Sequence, residues 1–274
     1  IRNILVPNYE TRYQKESLSC FFEKNDINFI NLSKNKFLQF DNVIFCTNNG
    51  NFEFYNYNLL KKFKDKFIPK TSCDTELLGW LLDNYSYEEV ICNLLDSMHA
   101  FVFYNKKNNE IILSRDHAGI KPLYFSEVKN GIIFSSEIKG LIEILPNANK
   151  IDRIGLACTS LIGANVLRQT MFTGVYKVLP GESIIYNIDT KRVKYKFRNL
   201  VKPTSRKAYD VDEFYEQSMI AINNSALGMR SFGMFLSGGL DSSLVAYGLK
   251  NKLGSLNSFT TLMNPNVIDK EDYN

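Results

Sequence analysis

The chain has 274 residues, of which 45% are hydrophobic and 23% charged, with a net charge of +4; this is the composition of a folded globular protein with one large or two modest domains. The lysines are spread along the chain, so the mild charge reads as a solvated surface and argues against a nucleic-acid partner. No apolar run is long enough to span a bilayer and no signal peptide is visible, which argues against a membrane protein. The five cysteines (Cys20, Cys46, Cys73, Cys92 and Cys158) are odd in number, widely spaced and form no CxxC pair. They are expected to be reduced thiols of a cytoplasmic protein, not a disulfide framework or a zinc site. Two distant histidines, His99 and His117, are too few for a His-rich metal centre.

In chain order, strands are expected where β-branched and aromatic residues gather. These are NVIFCT (42–47), AFVFYN (100–105), EIILSR (110–115), GIIFSS (131–136) and ESIIYNI (182–188), with KKNNE, VKNG and LPGE as turns. DTELLGWLLDNY (74–85) and SYEEVICNLLDSM (86–98) carry apolar residues at helical spacing. Helices followed by paired strands predict an α+β domain over residues 1–200. LVKPTSRKAYD is polar and contains Pro203, which marks a linker at 201–210. Beyond it, DVDEFYEQSMIAINNSAL reads as an amphipathic helix and SFGMFL as a short buried strand. SGGLDSS then forms a turn, SLVAYGLK a helix and SLNSFTTLM a second strand. Strand, tight loop, helix, strand opens a parallel α/β sheet over 211–274.

The turn is the chemically informative text. Gly238 and Gly239 permit positive φ and close backbone approach. At a helix N-terminus, free N–H groups and the helix dipole favour an anion, and Ser237, Ser242 and Ser243 add hydroxyl donors. Asp241 is a poor partner for phosphate by itself, but it suits a Mg²⁺ ion that neutralises phosphates. The plain alternative is a strand-to-helix turn, with Gly for the bend and Asp or Ser as the N-cap. The stretch lacks the Gly-Lys-Ser/Thr ending of a Walker A loop.

SGGLDSS resembles the pyrophosphate-gripping loop of the asparagine synthetase family. SRDHAGIKPLYF (114–125) is similar to that family's RDxxGIKPLYY block and FSSEIKGL (134–141) to its FxSExKAL block. DTELL, LDSMHAFVFYN and GVYKVLPGE follow the same order, so the resemblance covers roughly residues 50 to 274. It implies a class II glutamine amidotransferase-like domain, with two stacked antiparallel sheets between helices. It further implies the start of an adenine-nucleotide hydrolase-like parallel sheet. By position, Leu236 and Thr261 match residues that contact adenosine, and Ser237, Gly238, Gly239, Leu240, Asp241, Ser242 and Ser243 the pyrophosphate and Mg²⁺ loop, with Asp241 as the metal ligand. The implied cofactors are ATP and Mg²⁺, and the implied reaction adenylates a carboxylate that an amine then attacks.

The sequence also departs from that pattern. A working glutaminase of this class uses an N-terminal Cys whose α-amino group is the general base, whereas position 1 here is Ile. No RGPD string occurs, and NNGNFEFYN (48–56) keeps Asn51, Glu53, Tyr55 and Asn56 but places Phe52 where the family has Gly. Asp74 matches the acid that would hold the glutamine ammonium, or serves as a helix N-cap. This pattern resembles the β-lactam synthetases, carbapenam synthetases and lasso-peptide cyclases, which keep the fold without glutamine hydrolysis. The expected function is therefore an ATP-dependent, AMP-forming amide synthetase without glutaminase activity. The alternatives are a glutamine-hydrolysing asparagine synthetase and a non-catalytic nucleotide-binding subunit. The expected substrate is a small-molecule or peptide carboxylate. The family pattern continues past residue 274, so the text is expected to be a fragment or to be completed by a second chain. His117 is expected at a domain interface, His99 in the core, and Arg115 with Asp116 as a pair fixing a loop. No catalytic residue is assigned.

Overall fold

The computed structural model describes residues 2–6, 27–31, 43–47, 53–54, 63, 65–68, 74–105, 107–129, 131–142, 144–148, 150–197, 210–226 and 233–261. The chain divides into two compact units, Ile1–Lys202 and Pro203–Asn274. No described helix is long and apolar enough to cross a membrane.

The strands of the first unit are β1 (Arg2–Val6), β2 (Ile27–Asn31), β3 (Val43–Thr47), β4 (Glu53–Phe54), β5 (Ser97–Met98), β6 (Ala100–Asn105), β7 (Glu110–Arg115), β8 (Tyr124–Val128), β9 (Gly131–Ser135), β10 (Tyr176–Lys177), β11 (Glu182–Asn187) and β12 (Arg192–Phe197). Its helices are α1 (Asp74–Asn84), α2 (Tyr87–Glu89), α3 (Ile138–Ile142) and α4 (Arg153–Ile162). One five-stranded sheet has the order β12-β11-β7-β6-β3 and one three-stranded sheet the order β10-β8-β9. Every pairing in both is antiparallel. β1 and β2 pair in parallel, and β4 pairs antiparallel with β5.

Side-chain alternation explains why two sheets stack between helices. Successive strand residues point to opposite faces, and here both faces are apolar. Val102, Ile111, Leu113, Ile184 and Tyr186 of the large sheet meet Phe125, Ile132 and Phe134 of the small one. Their neighbours Phe101, Phe103, Ile112 and Ile185 face the other way, against Leu77, Leu78 and Leu81 of α1 and Val90, Ile91 and Leu94. On the small sheet Ile133 points outward to Leu141 of α3, Ala148 and Val175. The result is an α-β-β-α layering, the amidotransferase-like sandwich that the sequence leads one to expect.

Two local expectations change. The expected helix over 86–98 is α2 followed by a π-helical turn at Val90–Leu94, and Ser97–Met98 is the strand β5. The chain leaves the helix at Leu95, whose backbone is extended (φ −94°, ψ 116°), so that Phe54 can pair with Ser97. Arg115 and Asp116 do fix the following loop, but through backbone groups. The Arg115 guanidinium donates to the carbonyls of Lys121, Val178 and Gly119 at 2.7, 2.7 and 2.6 Å. The Asp116 carboxylate accepts from the N–H groups of Ile120, Lys121 and His99 at 2.8, 3.0 and 3.3 Å. Burial lowers the Arg115 pKa, and the nearby Asp116 charge opposes that.

His99 is a core residue, as expected, only 2% exposed. Its Nδ1 lies 2.8 Å from Ser97 Oγ and its Nε2 3.3 Å from Ser114 Oγ. Ser114 Oγ in turn lies 3.2 Å from the Tyr87 hydroxyl, which also hydrogen-bonds Ser183. Burial pushes the Tyr87 phenol up to about 12, with the serine hydrogen bonds pulling the other way.

The second unit contains α5 (Val211–Ser225), β13 (Gly233–Phe235), α6 (Leu240–Leu253) and β14 (Asn257–Phe259), and β13 pairs with β14 in parallel. This is the strand-helix-strand start of a parallel sheet. α5 and α6 pack at Gly248, where an added Cβ would lie 3.0 Å from Ile222 and 3.2 Å from Met219. Lys252 ties the helices together by donating to the carbonyls of Asn223 and Ala226 at 2.5 and 3.2 Å, a cation on helix-terminal carbonyls. The expectation that SFGMFL is buried fails: Phe235 is 85% and its partner Phe259 60% exposed. Apolar composition sets which side chains seek burial, but here no described layer covers these two.

Candidate functional site: the loop between β13 and α6

The ladder between β13 and β14 continues one residue past the strand, because the Leu236 N–H donates to the Phe259 carbonyl at 2.9 Å. The chain then turns through Ser237 and Gly238. Gly238 has φ +85°, a region that L side chains rarely enter. A Cβ there would meet nothing within 4 Å, so the glycine serves conformation and not clearance. Gly239 is extended (φ −72°, ψ 165°) and forms the N-cap of α6.

The serines gather around Gly239. Ser242 and Ser243 donate their hydroxyls to its carbonyl at 3.0 and 2.9 Å, and the Ser243 N–H reaches the same oxygen at 3.0 Å. Ser237 Oγ lies 3.0 Å from Ser242 Oγ and accepts from the Gly239 N–H at 3.4 Å. Asp241 stands on the first turn of α6. Ser237, Gly238, Gly239, Leu240, Asp241 and Ser243 are exposed, whereas Leu236 and Ser242 are half-buried.

The capping pattern separates the two sequence-level readings of this turn. Three other helix starts are closed by a side chain. Asp152 accepts from Ile154 and Gly155 at α4, Asp210 from Asp212 and Glu213 at α5, and Ser86 from Glu89 at α2. α6 has no side-chain cap, although three serines and an aspartate surround its start. The plain capped-turn reading is therefore not what the loop does. Its first-turn N–H groups receive no side-chain acceptor, which leaves the positive end of the helix dipole open to an anion.

The structure thus brings Ser237, Gly238, Gly239, Leu240, Asp241, Ser242 and Ser243 together on one exposed loop, and sets Leu236 against the end of β14. Thr261 lies two residues past β14 and is exposed. Thr260, which sequence reasoning passed over, donates its hydroxyl to the Leu236 carbonyl at 2.7 Å. Nothing local in the text signals that bond, since the partners are 24 positions apart.

Other candidates fall elsewhere. Asp74 is the first residue of α1, but its side chain lies outside the described residues, as do Asn51, Phe52, Tyr55, Asn56, Cys20 and Cys73. His117 is exposed. Cys92 is free and exposed, Cys158 free and buried. The first unit also has a cleft of about 340 Å³ between the α1–α2 turn and the β6–β7 hairpin. Tyr85, Ser86, Tyr87, Phe103, Lys107 and Glu110 are among its lining residues, and none of the sequence-predicted site residues borders it.

Comparison with known proteins places both units. Residues 31–197 match the family model described as a glutamine amidotransferase domain, and residues 220–273 match that of asparagine synthase. The chain belongs to the asparagine synthetase family. Asparagine synthetase (glutamine-hydrolyzing) 1 of Bacillus subtilis strain 168 is 32% identical over 217 residues, covering 77% of this chain and 33% of that protein. Asparagine synthetase (glutamine-hydrolyzing) 2 of the same strain is 30% identical over 243 residues, 82% of this chain and 32% of that protein. The Homo sapiens asparagine synthetase (glutamine-hydrolyzing) is 27% identical over 218 residues, 74% and 36%. The chain spans no more than about two fifths of the length of such relatives. Among solved structures, the B. subtilis glutamine phosphoribosylpyrophosphate amidotransferase complexed with ADP and GMP aligns over 85% of this chain and 49% of that one. Its TM-score is 0.39 at 17% identity, too distant to argue from.

Proposed function

We propose that this asparagine synthetase family chain holds Mg·ATP on the loop between β13 and α6, in an AMP-forming amide synthesis that does not hydrolyse glutamine. The observation that carries the ATP site is the start of α6, left without a side-chain cap and ringed by three serines and Asp241. In the reaction, a carboxylate oxygen of the substrate bonds to the α-phosphorus of ATP and pyrophosphate leaves. An amine then bonds to the acyl carbon, expels AMP and gives up a proton. The first-turn N–H groups of α6 and the hydroxyls of Ser237, Ser242 and Ser243 would receive the pyrophosphate oxygens, where negative charge grows as the bond breaks.

The loop fits a magnesium ion of modest protein demand. Among the described residues no three His, Cys, Asp or Glu side chains cluster as a metal cage, while Asp241 offers one exposed carboxylate beside the phosphate donors. Mg²⁺ commonly takes one or two carboxylates and completes its shell from phosphates and water. Bound there, it would neutralise phosphate charge and act as a Lewis acid.

The absence of glutamine hydrolysis rests on the altered glutamine-binding text, with Phe52 where the family has Gly and no RGPD string. A second reading, a glutamine-hydrolysing synthetase, is favoured by the amidotransferase match over 31–197 and by the similarity to glutamine-hydrolyzing asparagine synthetases. Incubating the protein with glutamine separates the two. No glutamate above background is expected, and glutamate formation abolished by Asp74→Ala overturns the claim. For the ATP site, Asp241→Ala should remove Mg·ATP binding by the full chain while its circular dichroism stays unchanged. Unaltered binding would refute the loop assignment.

A further inference from the structure

We propose that Thr260 is a positioning residue for the nucleotide loop, clamping Leu236 at the point where the loop leaves the sheet. This rests on the reading of that loop as the ATP site. Leu236 is held from both sides by the end of β14. Its N–H donates to the Phe259 carbonyl at 2.9 Å, and its carbonyl accepts from Thr260 Oγ1 at 2.7 Å. The first bond belongs to the strand ladder and needs no particular side chain. The second replaces a ladder bond with a hydroxyl, at the place where regular pairing has ended.

The consequence is directional. With both polar groups of its peptide bonds tied, Leu236 cannot rotate when Ser237 and Gly238 turn. The peptide plane entering Ser237 is fixed by the Leu236 carbonyl that Thr260 holds. Ser237 Oγ then lies 3.0 Å from Ser242 Oγ and 3.4 Å from the Gly239 nitrogen, so the aim of the hydroxyl cluster depends on that plane. Binding groups that are held before the ligand arrives need less ordering when it binds. Thr260 is itself exposed, so replacing it opens no buried void and its conservation of shape is not what matters.

The test titrates Mg·ATP into the full chain carrying Thr260→Val, Thr260→Ala or Thr260→Ser, with unfolding temperature followed in parallel. Loss of one hydrogen bond corresponds to roughly fivefold in an equilibrium constant. Val and Ala are therefore expected to weaken Mg·ATP binding by about fivefold and to quicken amide exchange over Leu236–Gly239. Ser, which keeps the hydroxyl, is expected to restore both to within about twofold of the parent. Parent-like affinity in both hydroxyl-free variants, with Asp241→Ala still defective, overturns the role of Thr260 and leaves the ATP site standing. Failure of the parent chain to bind Mg·ATP overturns both. Should Val fail to fold, Ala and the exchange rates of the loop amides decide the question.

Discussion

The two units of this chain use the same kinds of residue to opposite ends. In the first, serines, a histidine and a tyrosine are buried and hydrogen-bond one another, and a buried aspartate accepts from backbone N–H groups: His99, Ser114 and Asp116 are at most 2% exposed. In the second, three serines and an aspartate of the loop are left on or near the surface, and the helix they surround has no side-chain cap. Among the described residues there, only Ala226 and Gly248 are buried. Buried polar groups must be satisfied internally or they cost stability. Exposed groups that are only partly satisfied are free to exchange their bonds for a ligand. The lesson is that the polar groups buried in the first unit hold the fold, whereas those of the loop between β13 and α6 stay accessible to solvent.

The comparison breaks if lesions in the two units produce the same phenotype, and the expected effects run from large to small. Leu113→Ala removes a fully buried side chain from between the sheets, and Glu182→Ala removes the fully buried carboxylate that Arg168 grips at 2.8 and 2.5 Å. Each should cost about 3 to 5 kcal/mol. Urea unfolding followed by the fluorescence of Trp80, the sole tryptophan, which packs 5.3 Å from Phe63 between ring centroids, measures it.

The next effect is a pH dependence. An unfolded tyrosine ionises near pH 10, while burial holds Tyr87 protonated to about 12. Above pH 10 the unfolded chain therefore loses its proton first. The stability due to this group is complete below pH 10 and is lost as pH rises towards 12, by about 3 kcal/mol in all. Tyr87→Phe should flatten that fall in the urea midpoint. An unchanged slope would place the titration elsewhere, for instance at Tyr195, which burial and the bond to Glu127 also push up to about 12.

Smaller effects belong to the second unit. Asp210→Ala removes the cap of α5 and should cost about 1 kcal/mol, seen as amide exchange roughly fivefold faster over the first turn of Val211–Ser225. Asp241 caps nothing, so Asp241→Ala should change the stability of α6 by about 0.5 kcal/mol or less, while the proposed ATP site predicts that it removes Mg·ATP binding. A stability loss at Asp241 as large as that at Asp210 would make the loop a structural turn and erase the distinction between the units.

Several elements were legible because their signal is local. AFVFYN and EIILSR are continuous apolar runs between turn residues, and they match β6 and β7 residue for residue. Both faces of these strands are buried, so burial and β-propensity agree. The edge strand β12, RVKYKF, alternates charge with apolar residues and escaped notice, as did α4, whose exposed Ile154, Leu161 and Ile162 blur any helical stripe. SYEEVICNLLDSM kept a helical period past the point where pairing with β4 takes the chain away, a case of tertiary contact overriding local preference.

The text by itself determined the family, the two kinds of sheet and the glycine- and serine-rich loop between β13 and α6. Each depends on a short string, whether a glycine that must take positive φ, a run of strand formers or an acid among serines. Only the tertiary structure decided what those polar residues do. It showed that Arg115 and Asp116 act on backbone, that His99 meets Ser114 of β7, that α6 is left without a side-chain cap and that Thr260 donates to the Leu236 carbonyl. Hydrogen bonds between residues far apart in sequence leave no periodic mark on it, because their partners meet only when the strands pair.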